Sequence, residues 1–135
     1  MSSRSLVRVR YAETDQMGFV YHSHFLAYFE IGRTDYFREL GFTYKAMEAD
    51  GIFMPVVECA CRYHLPARYD DELEIRTSLK MLSRLKIRFD YRVVRKQDNA
   101  TIAEGSTTHV PVGRDGKPCR IPSPYQAALN HGKHS

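Results

Sequence analysis

A chain of 135 residues, 43% apolar, 27% charged and 12% aromatic, can bury roughly two-thirds of the surface that its unfolded form exposes. Its composition excludes a collagen-like, low-complexity or disulfide-stapled protein. The net charge of +4 would suit an anionic partner, but the basic residues are scattered among acidic ones and form no arm of the kind that grips nucleic acid.

Membrane spans need roughly 18 consecutive apolar residues, and no segment approaches that; nor does MSSRSLVRVR carry an apolar run of signal-peptide length. Three cysteines, an odd number, fit a reducing compartment. The expectation is a cytoplasmic protein of one domain, residues 1–135, with a core over about 5–122 and a tail from 123. No nucleic-acid partner and no membrane span are expected.

In chain order, LVRVRY (6–11) alternates with Val7, Val9 and Tyr11 on one side, the period of a half-buried strand. YAETDQMGFVYHSHF (11–25) comes next, crowding carboxylates, histidines and aromatics into a polar knot. From His24 to Leu40, Phe25, Phe29, Gly32 or Arg33, Tyr36 or Phe37, and Leu40 recur at helical spacing, with Ser23 as a candidate cap and Gly41 just past the end. A short helix is predicted over 43–51, closed by Gly51.

The period then changes to two. VVECACRY (56–63) places Val57, Cys59, Cys61 and Tyr63 on one face, the cysteines reading as small core residues. ELEIRTSLKML (72–82) and RLKIRFDYRVVRK (84–96) alternate cleanly and predict a long antiparallel hairpin around Ser83. TIAEGSTTHVPV (101–112) is the last predicted strand, and Pro124 opens a candidate short helix in the tail. This order predicts an α+β fold in which an antiparallel sheet of five to six strands curls around one long helix. The unpaired edges and residues such as Val56 and Leu82 predict self-association.

The knot holds the chemistry. Asp15 stands beside a glycine turn and a few residues ahead of a helix start, where backbone N–H groups at Tyr21 to Phe25 lack helical partners. Such donors, with the positive end of the helix dipole, polarise a carbonyl placed over them, and a facing carboxylate can attack it or activate water. The plain alternative is that Thr14 and Asp15 only stabilise a turn. His22 and His24 form a His-x-His pair, but no cysteine or carboxylate stands at a spacing that completes a metal site. No Gly-x-Ser-x-Gly elbow is present either.

RVRYAETDQMGFVYHSHFLAYFEIGRTDYF, from Arg8 to Phe37, resembles the opening of the hotdog-fold acyl-CoA thioesterases, in the group of 4-hydroxybenzoyl-CoA thioesterase and the Tol–Pal-associated thioesterase. VVECACRYHLPARYDDELEI continues the likeness, which runs on to about residue 121. The resemblance implies that Asp15 is the catalytic carboxylate, as nucleophile or general base on the thioester carbonyl. It implies that the His22 N–H holds the carbonyl oxygen, and that Tyr11 shapes the site. Subunits would join sheets into a dimer, or a homotetramer built as a dimer of dimers, with sites between subunits.

In such a dimer Glu58 would face the partner's helix start, or be a solvated strand residue. Arg68, Arg84 and Arg88 are candidates for the CoA phosphates. Phe25, Phe29 and Tyr63 are candidates for the acyl pocket. The substrate is an acyl-CoA, and no metal or other cofactor is implied, CoA being part of the substrate. Two rivals stay open: a dehydratase pairing His22 with Glu58, and a non-catalytic acyl-CoA or partner-binding module. Gln16-Met17 and Ser23-His24 depart from the residues common in relatives and leave the acyl preference open.

Overall fold

The two periodicities of the sequence resolve, in a computed structural model that describes residues 2–134, into one antiparallel sheet and three helices. Strand β1 (Ser2–Arg8) leads through a 3-10 turn (Tyr11–Glu13) to the long helix α1 (His24–Glu39) and the short α2 (Tyr44–Ala49). Four strands come after them: β2 (Val56–Tyr63), β3 (Glu72–Ser83), β4 (Lys86–Arg95) and β5 (Ala100–His109). Helix α3 (Ser123–His134) ends the described chain. The sheet order is β1-β3-β4-β5-β2, antiparallel at every pairing.

The strand pattern was legible except at its start. β1 begins at Ser2, not Leu6, because its first inward residues are Ser3 and Ser5, which are buried yet carry no apolar signal. Tyr11 is not a strand residue; it opens the 3-10 turn and is 77% exposed. Glu74, on the polar side of β3, is buried too, because Arg76, Lys96 and Arg4 close over its carboxylate.

Ile75, Leu79, Ile87, Phe89, Tyr91, Val93 and Ala103 make the inner face of the sheet, and Phe25, Tyr28, Phe29, Tyr36 and Phe37 of α1 pack into it. The Phe29 ring stacks on Tyr91 with centroids 4.3 Å apart, and Phe37 and Tyr36 meet Phe89 edge-on. Tyr91 bonds the Thr107 hydroxyl at 2.5 Å, and His109 ties Thr107 (2.9 Å) to the Met54 carbonyl (3.0 Å). Burial pushes His109 below its ordinary pKa, so the tie holds a neutral imidazole. Leu129 of α3 also joins this core, and Tyr125 packs edge-on against Phe42.

Two features of this framework shape the surroundings of the polar knot. β2 is an edge strand with little cover: Cys59 is exposed and Cys61 only half-buried, so the cysteines do not sit in a closed core, and Val56, Val57 and Tyr63 are 44%, 55% and 47% exposed. Helix α1, in contrast, lies very close to the sheet at Gly32, where a Cβ would overlap the Thr77 hydroxyl and come within 3.0 Å of an Ile75 methyl.

In an unobstructed helix interior, Gly→Ala stabilises by about 1 kcal/mol. Here we expect Gly32→Ala to destabilise by about 1–3 kcal/mol, because overpacking a close helix–sheet contact outweighs the propensity gain. The shift in urea midpoint measures it; a rise in midpoint would show that the contact gives way.

Candidate active site

The polar knot is organised by Glu13. Its Oε1 accepts the Arg10 backbone N–H (2.9 Å) and the Tyr28 hydroxyl (2.9 Å), its Oε2 accepts the Arg10 guanidinium (3.3 Å), and its carbonyl accepts the Tyr21 N–H (2.9 Å). Burial alone would raise the Glu13 pKa, but the bonds from the Arg10 N–H, the Tyr28 hydroxyl and the Arg10 side chain outweigh it and hold the group below its ordinary value. Tyr28 sits on the second turn of α1, so this carboxylate fastens the loop to the helix. Burial and the Glu13 carboxylate push the Tyr28 hydroxyl strongly upward, which keeps it a donor.

From this anchor the chain makes a small closed loop. Thr14 and Val20 pair as an isolated bridge, the Asp15 N–H donates to the Phe19 carbonyl (2.9 Å) and the Gly18 N–H to the Asp15 carbonyl (2.9 Å). Gly18 carries φ +82°, a conformation that side-chain-bearing residues seldom adopt. The Asp15 side chain is bound inside the loop by Oδ1, which accepts the N–H groups of Met17 (3.0 Å) and Phe19 (3.3 Å). Oδ2 has no partner among the described residues. One carboxylate oxygen is therefore fixed and the other is available.

At the start of α1 the supply of free donors is narrower than the sequence suggested. The N–H groups of Tyr21, His24 and Phe25 bond to the carbonyls of Glu13, Tyr21 and His22, whereas those of His22 and Ser23 have no partner among the described residues. Ser23 occupies the cap position but is itself helical (φ −66°, ψ −23°) and makes no side-chain cap bond. The Tyr63 hydroxyl bonds the His22 carbonyl at 3.2 Å and thereby ties the end of β2 to the helix start. Burial and its Cys61 contact push Tyr63 up to about 12, so it remains a donor.

Asp15, His22, Phe25 and Tyr63 share a cavity of about 320 Å³. Met17, Phe19 and Val20 wall it on the loop side, and His64, Leu65, Pro66 and Ala67 on the other. None of those wall residues after Tyr63 was expected at the site; they precede or lie in the LPARYDD stretch, where Pro66 and the aspartates signal only a turn. Glu13 was also missed, though its spacing from Arg10 is that of a reciprocal turn-capping pair.

Other expected site residues fall elsewhere. Tyr11 meets Tyr69 edge-on, with ring centroids 5.5 Å apart, and does not line the cavity. Arg68 is at its rim, bridged to Phe19 and stacked over that ring at 5.1 Å. Arg84 is at the tip of the β3–β4 hairpin, and Arg88 pairs with Asp90 at 3.2 Å on β4. The cavity lies level with Val93, which pairs with Ala103 opposite Tyr63, so Arg88 of the same protomer is roughly 17 Å away along the strand.

Glu58 pairs with Thr108 and so stands in the outer row with Arg88, on the sheet face away from α1. The His22–Glu58 pairing of a dehydratase is therefore not formed within the protomer. His24 is the first residue of α1, and among the described residues no group of three or more His, Cys, Asp or Glu could hold a metal ion. Burial pushes the Cys61 thiol upward, which makes it a poor nucleophile. No helix of the described residues is long and apolar enough to cross a membrane.

Comparison with known proteins covers nearly all of this framework. Residues 9–129 match the Thioesterase-like superfamily. The acyl-CoA thioesterase YbgC of Haemophilus influenzae is 34% identical over 128 residues, 94% of this chain and 93% of its own. A hypothetical protein of Thermus thermophilus superposes with a TM-score of 0.91 at 40% identity, covering 96% and 98% of the two chains. The DHNA-CoA thioesterase of Staphylococcus aureus superposes with the same score at 30% identity, over 96% of this chain and 89% of its own.

The Glu13 tie makes a pH-dependent prediction. A carboxylate whose folded pKa is depressed stabilises fully above its unfolded value, here about 4.5, and loses that contribution as pH falls through the lower folded value. Tyr28→Phe should cost about 1.5–3 kcal/mol at neutral pH, as expected for a hydrogen bond to a charged group. Denaturation across pH should show the gap between wild type and variant shrinking only below pH 4.5.

Proposed function

The chain belongs to the Thioesterase-like superfamily, and from that premise we propose that it hydrolyses an acyl-CoA thioester to the free acid and CoA. The observation that carries this reading is the pairing, in one cavity, of an Asp15 carboxylate anchored by Oδ1 with a His22 N–H that has no partner among the described residues. The fixed oxygen sets the aim of the free one. A thioester carbonyl with its oxygen on the His22 N–H presents its carbon to Oδ2 or to a water held by Oδ2.

Two routes use the same geometry. In one, Oδ2 attacks the carbonyl carbon, the oxyanion forms at the helix start, the C–S bond breaks with its electron pair on sulfur, and water hydrolyses the resulting mixed anhydride. In the other, Asp15 takes a proton from the attacking water. Donors preorganised at the developing oxyanion lower the barrier in either case. The reaction needs only water and these groups, so no cofactor is proposed. The three free cysteines suit the reducing cytoplasm, the proposed location.

The active assembly is proposed to be a dimer, or a homotetramer built from dimers, in which β2 pairs with its own copy. An uncovered edge carrying Val56 and Val57 supports this, since such edges are seldom left open. Antiparallel pairing about a two-fold would bring the partner strand's Val56 end against Tyr63 here. The hairpins carrying Arg84 and Arg88 are level with Val56, so the route from those residues to a CoA bound at this cavity runs across the interface. Within the protomer, Arg68 is the candidate phosphate contact.

Asp15→Asn keeps the Oδ1 anchor but removes the nucleophile and base. We expect an unchanged melting temperature and a loss of thiol release from acyl-CoA of 10³-fold or more, on the order of what such groups contribute; turnover within tenfold of wild type would overturn the assignment. Acyl-CoA that binds without any thiol release from the wild type would mark a non-catalytic module instead. Val57→Asp should yield monomers in sedimentation, and a monomer with full turnover would place the site wholly within one subunit.

A further inference from the structure

His64 has no part in the hydrolysis proposed for Asp15 and His22, yet it lines the same cavity as they do. Its placement is fixed from two directions. Its backbone N–H, with that of Leu65, bonds the Ile102 carbonyl (2.8 and 3.2 Å), where a bulge in β5 displaces the chain. Its ring Nε2 lies 3.6 Å from Oε2 of Glu104, whose other oxygen is held by Arg92 at 3.0–3.1 Å. Glu104 belongs to the outer face of the sheet and lines the groove there. His64 thus lines the cavity with its Nε2 turned to a carboxylate and its Nδ1 without a partner among the described residues.

Hydrolysis leaves one group unprovided for. On the nucleophilic route Asp15 is tied up in the mixed anhydride when the C–S bond breaks, and the electron pair goes to a thiolate in a cavity that no lysine or arginine lines among the described residues. Acylated Asp15 has no proton to give, and the His22 N–H is committed to the carbonyl oxygen. A donor facing the departing sulfur would stabilise the developing thiolate and complete the thiol.

We propose that His64 is a catalytic acid of this site: its Nδ1–H transfers a proton to the leaving sulfur as the C–S bond breaks, while Glu104, braced by Arg92, is a positioning residue that orients the ring. The sulfur takes the bonding pair and the proton and departs as a thiol. The imidazole is left neutral and recovers its proton from water at the cavity mouth. This step rests on the hydrolase reading and adds a role for a residue that the sequence motif does not include.

The test compares two thioesters of one acyl group in single-turnover thiol release, one with CoA and one with the aryl thiol 5-thio-2-nitrobenzoate. An alkyl thiolate gains from protonation, whereas a stabilised aryl thiolate leaves unaided. His64→Gln should lose about a hundredfold with the CoA ester, at the low end of what positioned acids contribute, and less than about twofold with the aryl ester. Glu104→Gln should show the same leaving-group dependence, weaker, and it gives a second route should His64→Gln not fold.

Equal losses on both esters, or no loss on either, in variants that melt like wild type would overturn the step. A wild type that releases no thiol from either ester, or an Asp15→Asn that releases it normally, would instead overturn the hydrolase reading beneath it.

Discussion

The site depends on one buried carboxylate that does no chemistry. Glu13 gathers the Arg10 N–H, the Arg10 guanidinium and the Tyr28 hydroxyl, and its carbonyl takes the N–H that opens the approach to α1. Without this tie the Asp15 loop would be a turn on the surface, free to move relative to the start of the helix beside it. With it, Asp15 and His22 are referred to the same rigid body, and a partly buried charge stays ionised because its donors outweigh the cost of burial.

The helix has to be rigid for that to matter, and the sheet makes it so. Phe29 stacked on Tyr91, Tyr36 and Phe37 against Phe89, and the close approach at Gly32 fix both the height and the rotation of α1 over the strands. The Tyr63 hydroxyl on the His22 carbonyl then sets where the end of β2 meets the helix start. Loop, helix and strand end converge at one place through two side-chain hydrogen bonds, the Tyr28 hydroxyl to the Glu13 carboxylate and the Tyr63 hydroxyl to the His22 carbonyl.

Much of this is legible in the sequence where a period of two or 3.6 runs unbroken. β2 was bounded to the residue, and β3, β4 and α1 nearly so, because their alternation or helical stripe is continuous. β1 was truncated because Ser3 and Ser5 face inward, and burial of a small hydroxyl leaves no mark in a hydrophobic pattern. Asp15 and His22 were found by motif and lie in one cavity. Glu58 and Arg88 stand on the outer sheet face of the protomer, because strand register decides which face a residue occupies and sequence fixes register only through partners it does not name; the roles expected of them lie across a subunit interface. His64 and Glu13 were invisible for a related reason: their significance lies in residues far along the chain that fold against them.

The anchoring of Asp15 by the backbone of its own five-residue loop, Asp15–Phe19, has an evolutionary consequence. The Asp15 carboxylate is held by main-chain groups that most substitutions leave untouched, whereas much of the wall of the cavity it shares comes from Tyr63–Ala67, some fifty residues downstream. On the proposed reading, reactivity and selectivity are encoded in separate, independently mutable stretches. A lineage can explore new acyl groups by remodelling one stretch while the other keeps its chemistry, and that modularity suits a small scaffold to repeated recruitment.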